Sequence, residues 1–346
     1  MEISSVDRNF IVSSPKGENV VFTQIDRPPF TVYGLMRDEK GYFRIPPETA
    51  ARVNEGVAAL NLHTAGGRLR FSTDADRVLL RAEMRAVSLM PHFAATGSAG
   101  FDLYTDKTYR GTFVPPIDLR DGFSGELYLG KGPMRDITIH FPLYSGVTRL
   151  WIGLPNGCAV GPAAPYRYSL PVVYYGSSIT QGGCASRPGN AYQNILSREL
   201  DCDHINLGFS GSARGEKAIV DYICDLPMSV FVLDYDHNAP TPAYLAETHE
   251  PFYREIRAAR PELPVVMMSR PQPNPNGDDL ERREIVLRTC RNARGAGDQN
   301  VYFIDGVKML TLFGGDSGTV DNCHPNDLGF MCMAKSLEPV LRDLLR

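Results

Sequence analysis

No apolar run in the 346-residue chain approaches the roughly 18–20 residues needed to cross a bilayer as a helix, so no membrane span is expected. Positive charge is not in excess: 36 Lys and Arg stand against 40 Asp and Glu, a net charge of −4. That balance gives nucleic acid or an anionic membrane no electrostatic reason to bind. The opening stretch "MEISSVDRNFIVSSPKG" has no basic segment followed by an apolar one and does not read as a signal peptide. The seven cysteines show no C-x-x-C spacing. They read as reduced thiols of a cytoplasmic protein rather than a disulfide framework or a zinc site. No Walker or Rossmann glycine pattern occurs, and neither "GFSGS" nor "GSSIT" completes Gly-x-Ser-x-Gly. Internal repeats and low-complexity segments are absent too. What remains is an ordinary globular composition, 43% apolar and 22% charged, in a chain long enough for two domains.

The two halves carry different periods. Residues 1–165 are dominated by short alternating runs. "RDITIHF" puts Ile137, Ile139 and Phe141 on one face and Asp136, Thr138 and His140 on the other; "RLRF", "FDLY" and "GELYL" repeat the period. Gly-Gly, Asp-Gly and Pro-Pro pairs punctuate them, which predicts an all-β sandwich. "PPETAARVNEGV" adds one short helix. "GPAAPYRYSLP" reads as a Pro-rich linker. From residue 169 to 346 apolar β-rich runs alternate with helical stripes: "PVVYY", "HINLG", "SVFVLDY", "PVVMMS" and "VYFID" each precede a helix. The first of those helices, "NAYQNILSREL", takes Asn190 as its cap. Five strands alternating with five helices predict a parallel, doubly covered sheet, whose ligands bind beyond the carboxyl ends of the strands.

Chemistry-bearing residues gather at those ends. The first strand leads into Gly176-Ser177-Ser178, the second into Gly208-Phe209-Ser210-Gly211, and the third into Asp236-His237-Asn238; "DNCHPND", with Asp321 and His324, precedes the last helix. Acyl transfer needs such a set: a hydroxyl, a base to take its proton, an acid to orient the base, and donors for the oxyanion. Here the sequence resembles the SGNH, or GDSL-type, hydrolase superfamily over about residues 170–346. "GSSITQG", "NLGFSG", "DYDHNAP" and "DNCHP" match its four blocks in order. The resemblance implies a flavodoxin-like α/β domain with a five-stranded parallel sheet, preceded here by a jelly-roll-like sandwich, an arrangement similar to two-domain carbohydrate acetyl esterases. It implies Ser178 as nucleophile, His324 as base and Asp321 as its orienter. Ser178, Gly211 and Asn238 would form the oxyanion hole, and no cofactor or metal is needed. Ser177 stands where the family usually has Asp, and Ala239 where it has a second Asp; Asp236 and His237 replace small residues. These departures leave the triad intact and loosen any inference about substrate.

Ser177 reads as a hydrogen-bonding turn residue. Asp234, Asp236 and His237 could suggest a metal cluster, but ligands on adjacent residues point different ways, so Asp236 and His237 are placed at the pocket or as braces of the loop. Arg187 and Arg214, just after the first two blocks, are candidates for the substrate pocket or for structural ion pairs. Cys184 and Cys323 flank the catalytic loops and read as packed thiols. The expected activity is hydrolysis of short-chain, O-acetyl esters of a small molecule or oligosaccharide. The rivals are a lipase-like or lysophospholipase-like acylhydrolase and a non-catalytic carbohydrate-binding protein.

Overall fold

A computed structural model describes residues 3–7, 19–313 and 315–345. In the first half, two antiparallel sheets stack on a shared apolar core. One has the order Val20–Gln24, Gly146–Pro155, Arg77–Arg85, Gly122–Tyr128. The other runs Val160–Gly161, Arg68–Thr73, Arg135–His140, Phe101–Thr105, Thr108–Phe113, with Thr31–Tyr33 also paired to Arg68–Thr73. The alternation sets the inner faces: Val78, Leu80 and Ala82 from the first sheet meet Leu69, Phe71, Leu103, Ile137 and Ile139 from the second in one cluster.

The outer faces of the two sheets differ. In the first, Arg81 and Glu83 are exposed, as period-two alternation demands. In the second, the outward residues Arg68, Arg70, Asp102, Thr138 and His140 are buried although polar, because the second half of the chain packs on them. Arg68 reaches Asp203 and the carbonyl of His204, while Asp102 accepts from the backbone of Gly189 at 2.8 Å. The segment expected as a linker is pinned there too. Tyr166 is buried, lies 4.2 Å under the Arg70 guanidinium and meets Tyr33 edge-on.

The second half contains a five-stranded parallel sheet in which Tyr168–Gly176 lies between Cys202–Gly208 and Val230–Asp234, followed by Val265–Met268 and Val301–Ile304. In chain order the strands sit 2-1-3-4-5, the flavodoxin-like arrangement. Both faces are covered. Val173, Tyr175, Phe231 and Leu233 pack on one side with the helices Lys217–Asp225 and Pro242–Ala259. Val172, Tyr174, Val230 and Val232 pack on the other with Tyr192–Leu200 and Asp327–Leu344.

Two local expectations change. "PPETAARVNEGV" forms two helices, Pro47–Val53 and Glu55–Leu60, split at the extended Asn54, whose side chain caps the second. Asn190 is no cap. Pro188 opens a short 3₁₀ turn that Asn190 closes, and the helix starts at Tyr192 behind Ala191, with no side-chain cap.

Candidate active site

Ser178 stands where the first parallel strand stops. Gly176 ends that strand against the neighbouring one so closely that a Cβ would lie 2.2 Å from the carbonyl oxygen of Asp234. Ser177 then caps the four-residue helix Ser178–Gln181, its hydroxyl accepting from the Ile179 N–H at 3.2 Å. Ser178 becomes the first helical residue and Ser177 is turned into the backbone, so the adjacent serines face different tasks.

The Ser178 Oγ lies 2.9 Å from Nε2 of His324. The other ring nitrogen, Nδ1, is 2.8 Å from Oδ2 of Asp321. A carboxylate accepts, so Nδ1 carries the proton and Nε2 presents its lone pair to the serine. Asp321 also fixes the loop, its Oδ1 accepting from the backbones of Cys323 at 3.1 Å and His324 at 2.7 Å. Burial works against the Asp321 charge, but these bonds outweigh it and hold the carboxyl below its usual range. His324 is raised to about 9, first by the adjacent Cys323, against the opposing effect of burial, and then by Asp321.

Three polar groups follow the ends of the first three parallel strands. Among the described residues the backbone N–H groups of Ser178 and Gly211 have no protein acceptor. Gly211 has φ +65° and open space where a Cβ would be, so an incoming group meets no side chain. Asn238 gives one amide proton to the Phe209 carbonyl at 2.9 Å, which joins the loops after the second and third strands; among the described residues its other proton has no acceptor.

The remaining candidates go elsewhere. For Arg187 the structure shows the ion-pair alternative: its guanidinium donates to Asp102 at 2.9 Å and to the Tyr104 hydroxyl, and lies 3.9 Å over Tyr109. These contacts tie the two halves together. Arg214 is exposed, with its guanidinium 3.4 Å from the Gly211 carbonyl, at the rim of the loop after the second parallel strand. Asp236 is buried and accepts from the Arg270 backbone at 3.0 Å, a brace and not a pocket wall. Asp234 is buried too and accepts from Thr180 and Tyr192. The Arg270 guanidinium is 2.8 Å from Nδ1 of His237 and can only donate. His237 therefore carries its proton on Nε2 and directs it at the Cys323 sulfur, 3.3 Å away. Cys323 is thus no inert packed thiol: burial would raise it, but bonds from His237 and His324 bring it down to about 6. Cys184 is buried, and burial pushes its thiol up to about 12.

Several site residues escaped the sequence reading, and most come from the first half. The Tyr144 hydroxyl donates to the Ser178 carbonyl at 3.2 Å. The His92 ring lies 6.2 Å from the His324 ring, centroid to centroid. Arg44, fully buried, donates to the carbonyls of Gly208 and Leu60 and covers Phe209 at 4.3 Å. Asn54 donates to the Ser212 carbonyl at 3.0 Å. Gln181 is the exception. It accepts from the Ser210 N–H at 3.0 Å and donates to the Leu143 carbonyl at 3.2 Å. Its position one helical turn after Ser178 was the available signal.

Comparison with known proteins agrees with this architecture. Residues 169–342 match the model of the GDSL-like lipase/acylhydrolase family. Residues 20–160 match a module described as the N-terminus of SGNH hydro-type esterases and labelled GxDLY. That label spells Gly100–Tyr104 here, which includes the Asp102 and Tyr104 that hold Arg187. No curated protein sequence matches the chain. Among solved structures, a protein classed as a GDSL-like lipase from Bacteroides ovatus ATCC 8483 is 26% identical. The match covers 94% of this chain and 98% of that one, with a TM-score of 0.83. A salicylyl acyltransferase from a tetracycline biosynthetic pathway is 20% identical over 95% and 98% of the two chains, with a TM-score of 0.78. A family two carbohydrate esterase from Cellvibrio japonicus shares the fold at 14% identity, over 94% and 98%, with a TM-score of 0.60.

Proposed function

The chain belongs to the GDSL-like lipase/acylhydrolase family, and on that premise we propose that it is a serine esterase removing short acyl groups, acetyl above all, from a carbohydrate through Ser178, His324 and Asp321. The observation that carries this reading is the unbroken run of hydrogen bonds from Ser178 through His324 to Asp321, 2.9 and 2.8 Å long. Residues 1–165 form the sandwich domain in this reading and 169–346 the hydrolase domain. The odd cysteine count without paired spacing supports a cytoplasmic location in this reading.

Ser178 Oγ attacks the ester carbonyl carbon while His324 Nε2 takes its proton. Asp321 keeps the imidazole in the required tautomer and stabilises its charged form. Negative charge on the former carbonyl oxygen is met by the N–H groups of Ser178 and Gly211 and by the spare amide proton of Asn238. Each such donor is worth on the order of 3 kcal/mol. The intermediate collapses, His324 returns the proton to the departing sugar hydroxyl, and an acyl-Ser178 remains. Water, deprotonated by the same His324, attacks it and releases the carboxylic acid.

The short-acyl preference draws support from what surrounds the serine. Gly183, Tyr144, His324, Gly211 and Asn238 are small or polar, whereas a long chain needs an extended apolar trough. Arg214 at the rim offers a hydrogen-bond donor to a hydroxyl-rich leaving group. The test compares kcat/KM for p-nitrophenyl acetate, p-nitrophenyl octanoate and acetylated sugars. Acetylated sugars and the acetate should be turned over best. An octanoate advantage would favour the lipase-like or lysophospholipase-like rival. No turnover of any ester, with retained sugar binding, would favour the non-catalytic carbohydrate-binding rival.

A further inference from the structure

His92, Cys184 and His324 offer one ring nitrogen each from the histidines and the sulfur of the cysteine, and these donor atoms all lie within 4.8 Å of one another. They come from three separate parts of the chain. His92 sits in the tight turn closed by the Met90–Phe93 bridge. Its neighbour Phe93 is buried edge-on against Tyr144, so the turn is anchored while the His92 ring stays exposed. Cys184 is buried and held at φ +77°, and among the described residues its sulfur has no hydrogen-bond partner. His324 presents the base nitrogen.

We propose that His92, Cys184 and His324 form a binding site for a thiophilic divalent cation, zinc in the first instance, whose occupation switches the esterase off. Two imidazole nitrogens and one thiolate are a donor set that zinc accepts, with a fourth position open to water. Tetrahedral bonds of roughly 2.0–2.3 Å separate ligand atoms by about 3.4–3.6 Å. The three atoms must therefore draw in by at most a little more than an ångström, and the exposed His92 ring is free to supply its share. Binding releases the Cys184 proton to solvent, forms the zinc–sulfur bond and occupies the lone pair with which His324 would take the Ser178 proton. A second group, Asp321, Cys323 and His324, is also close enough, but its members are committed. Asp321 accepts from His324 and the loop backbone, and Cys323 accepts from His237. The cation therefore goes to the uncommitted sulfur of Cys184.

Loss of activity on binding rests on His324 being the general base; the binding itself does not. The experiment has two arms. Zinc chloride is titrated into the ester assay against chelated controls for the wild type, His92→Ala, Cys184→Ala and Cys323→Ala, each scaled to its own metal-free rate. The wild type should be inhibited and recover with EDTA; Cys323→Ala should be inhibited at the same or lower zinc, because loss of Cys323 lowers the His324 pKa and eases proton competition, and should also recover with EDTA. His92→Ala and Cys184→Ala should need at least ~10-fold more zinc. In the second arm cobalt(II) is added to Ser178→Ala, which reports sulfur-to-cobalt charge-transfer absorption without any turnover. That band should be present there and absent when Cys184→Ala is added. Equal zinc sensitivity in all four proteins, protection by Cys323→Ala alone, or no charge-transfer band would overturn the site. If the esterase itself proves inactive, the cobalt arm still decides the binding. His92→Ala, at an exposed turn, keeps the test open should Cys184→Ala fail to fold.

Discussion

In the parallel-sheet half, chemistry-bearing residues stand at strand ends; the antiparallel half reaches the same place with side chains that pack and hydrogen-bond. Ser178, Gly211 and Asn238 follow three adjacent strands, and His324 is delivered by the loop before the last helix. Arg44, Asn54, Tyr144 and His92 arrive from the other half. They hold the loop after the second parallel strand, donate to the Ser178 carbonyl, or lie beside the His324 ring. In the proposed reading, reaction and support are thus divided between halves that share a buried polar interface. A polar sheet face in the sequence therefore need not be a wet one.

Ways to break this division run from large to small. Ser178→Ala should lower kcat roughly 10⁴-fold or more with an unchanged melting profile. Asp321→Asn should lower kcat by about 10²- to 10⁴-fold, because His324 loses the acceptor that fixes its tautomer; near-normal turnover would assign that task to another group. Arg187→Met tests the interface side of the comparison. It removes the direct ion-pair partner of the buried Asp102, leaving it the Gly189 N–H, and should cost up to about 3–5 kcal/mol of stability in denaturant unfolding, yet leave KM for a small acetyl ester unchanged. A raised KM at normal stability would return Arg187 to the pocket.

A pH profile sharpens the comparison within the catalytic loop. The base works only when neutral, and His324 is raised to about 9. In EDTA-treated enzyme kcat/KM should therefore climb with pH above the ordinary imidazole range. Cys323 is the first cause of the rise, so Cys323→Ser should move that acid limb to lower pH. An unmoved limb would mean that Asp321 alone sets it. The smallest effect belongs to Ser177→Ala, which removes a helix cap at a cost of about 1 kcal/mol and should leave most of the activity.

The parallel-sheet half was the more legible. Its strands are near-continuous apolar runs, each ending in a polar or glycine cluster, so strand ends and the residues after them could be read directly. For Arg187 the sequence leaves pocket and ion pair both open, because its position after the first block says nothing of a partner 85 residues earlier. Tyr144, 34 residues before Ser178, carries no local mark at all. Alternation in "RDITIHF" gave the two faces of its strand correctly. It could not tell that Thr138 and His140 are covered by the other half of the chain and not by water, because a polar interface and a solvated face leave the same period. Asn190 failed as a cap for a local reason: Pro188 opened a turn of its own.

The account stands on Ser178, and not its neighbour Ser177, being the nucleophile. The most direct measurement is peptide mass spectrometry after treatment with a fluorophosphonate, which phosphonylates an activated serine. The adduct should lie on Ser178, in stoichiometric amount, and vanish in His324→Ala, where no base activates the hydroxyl. An adduct on Ser177, or none on the intact protein, would contradict it.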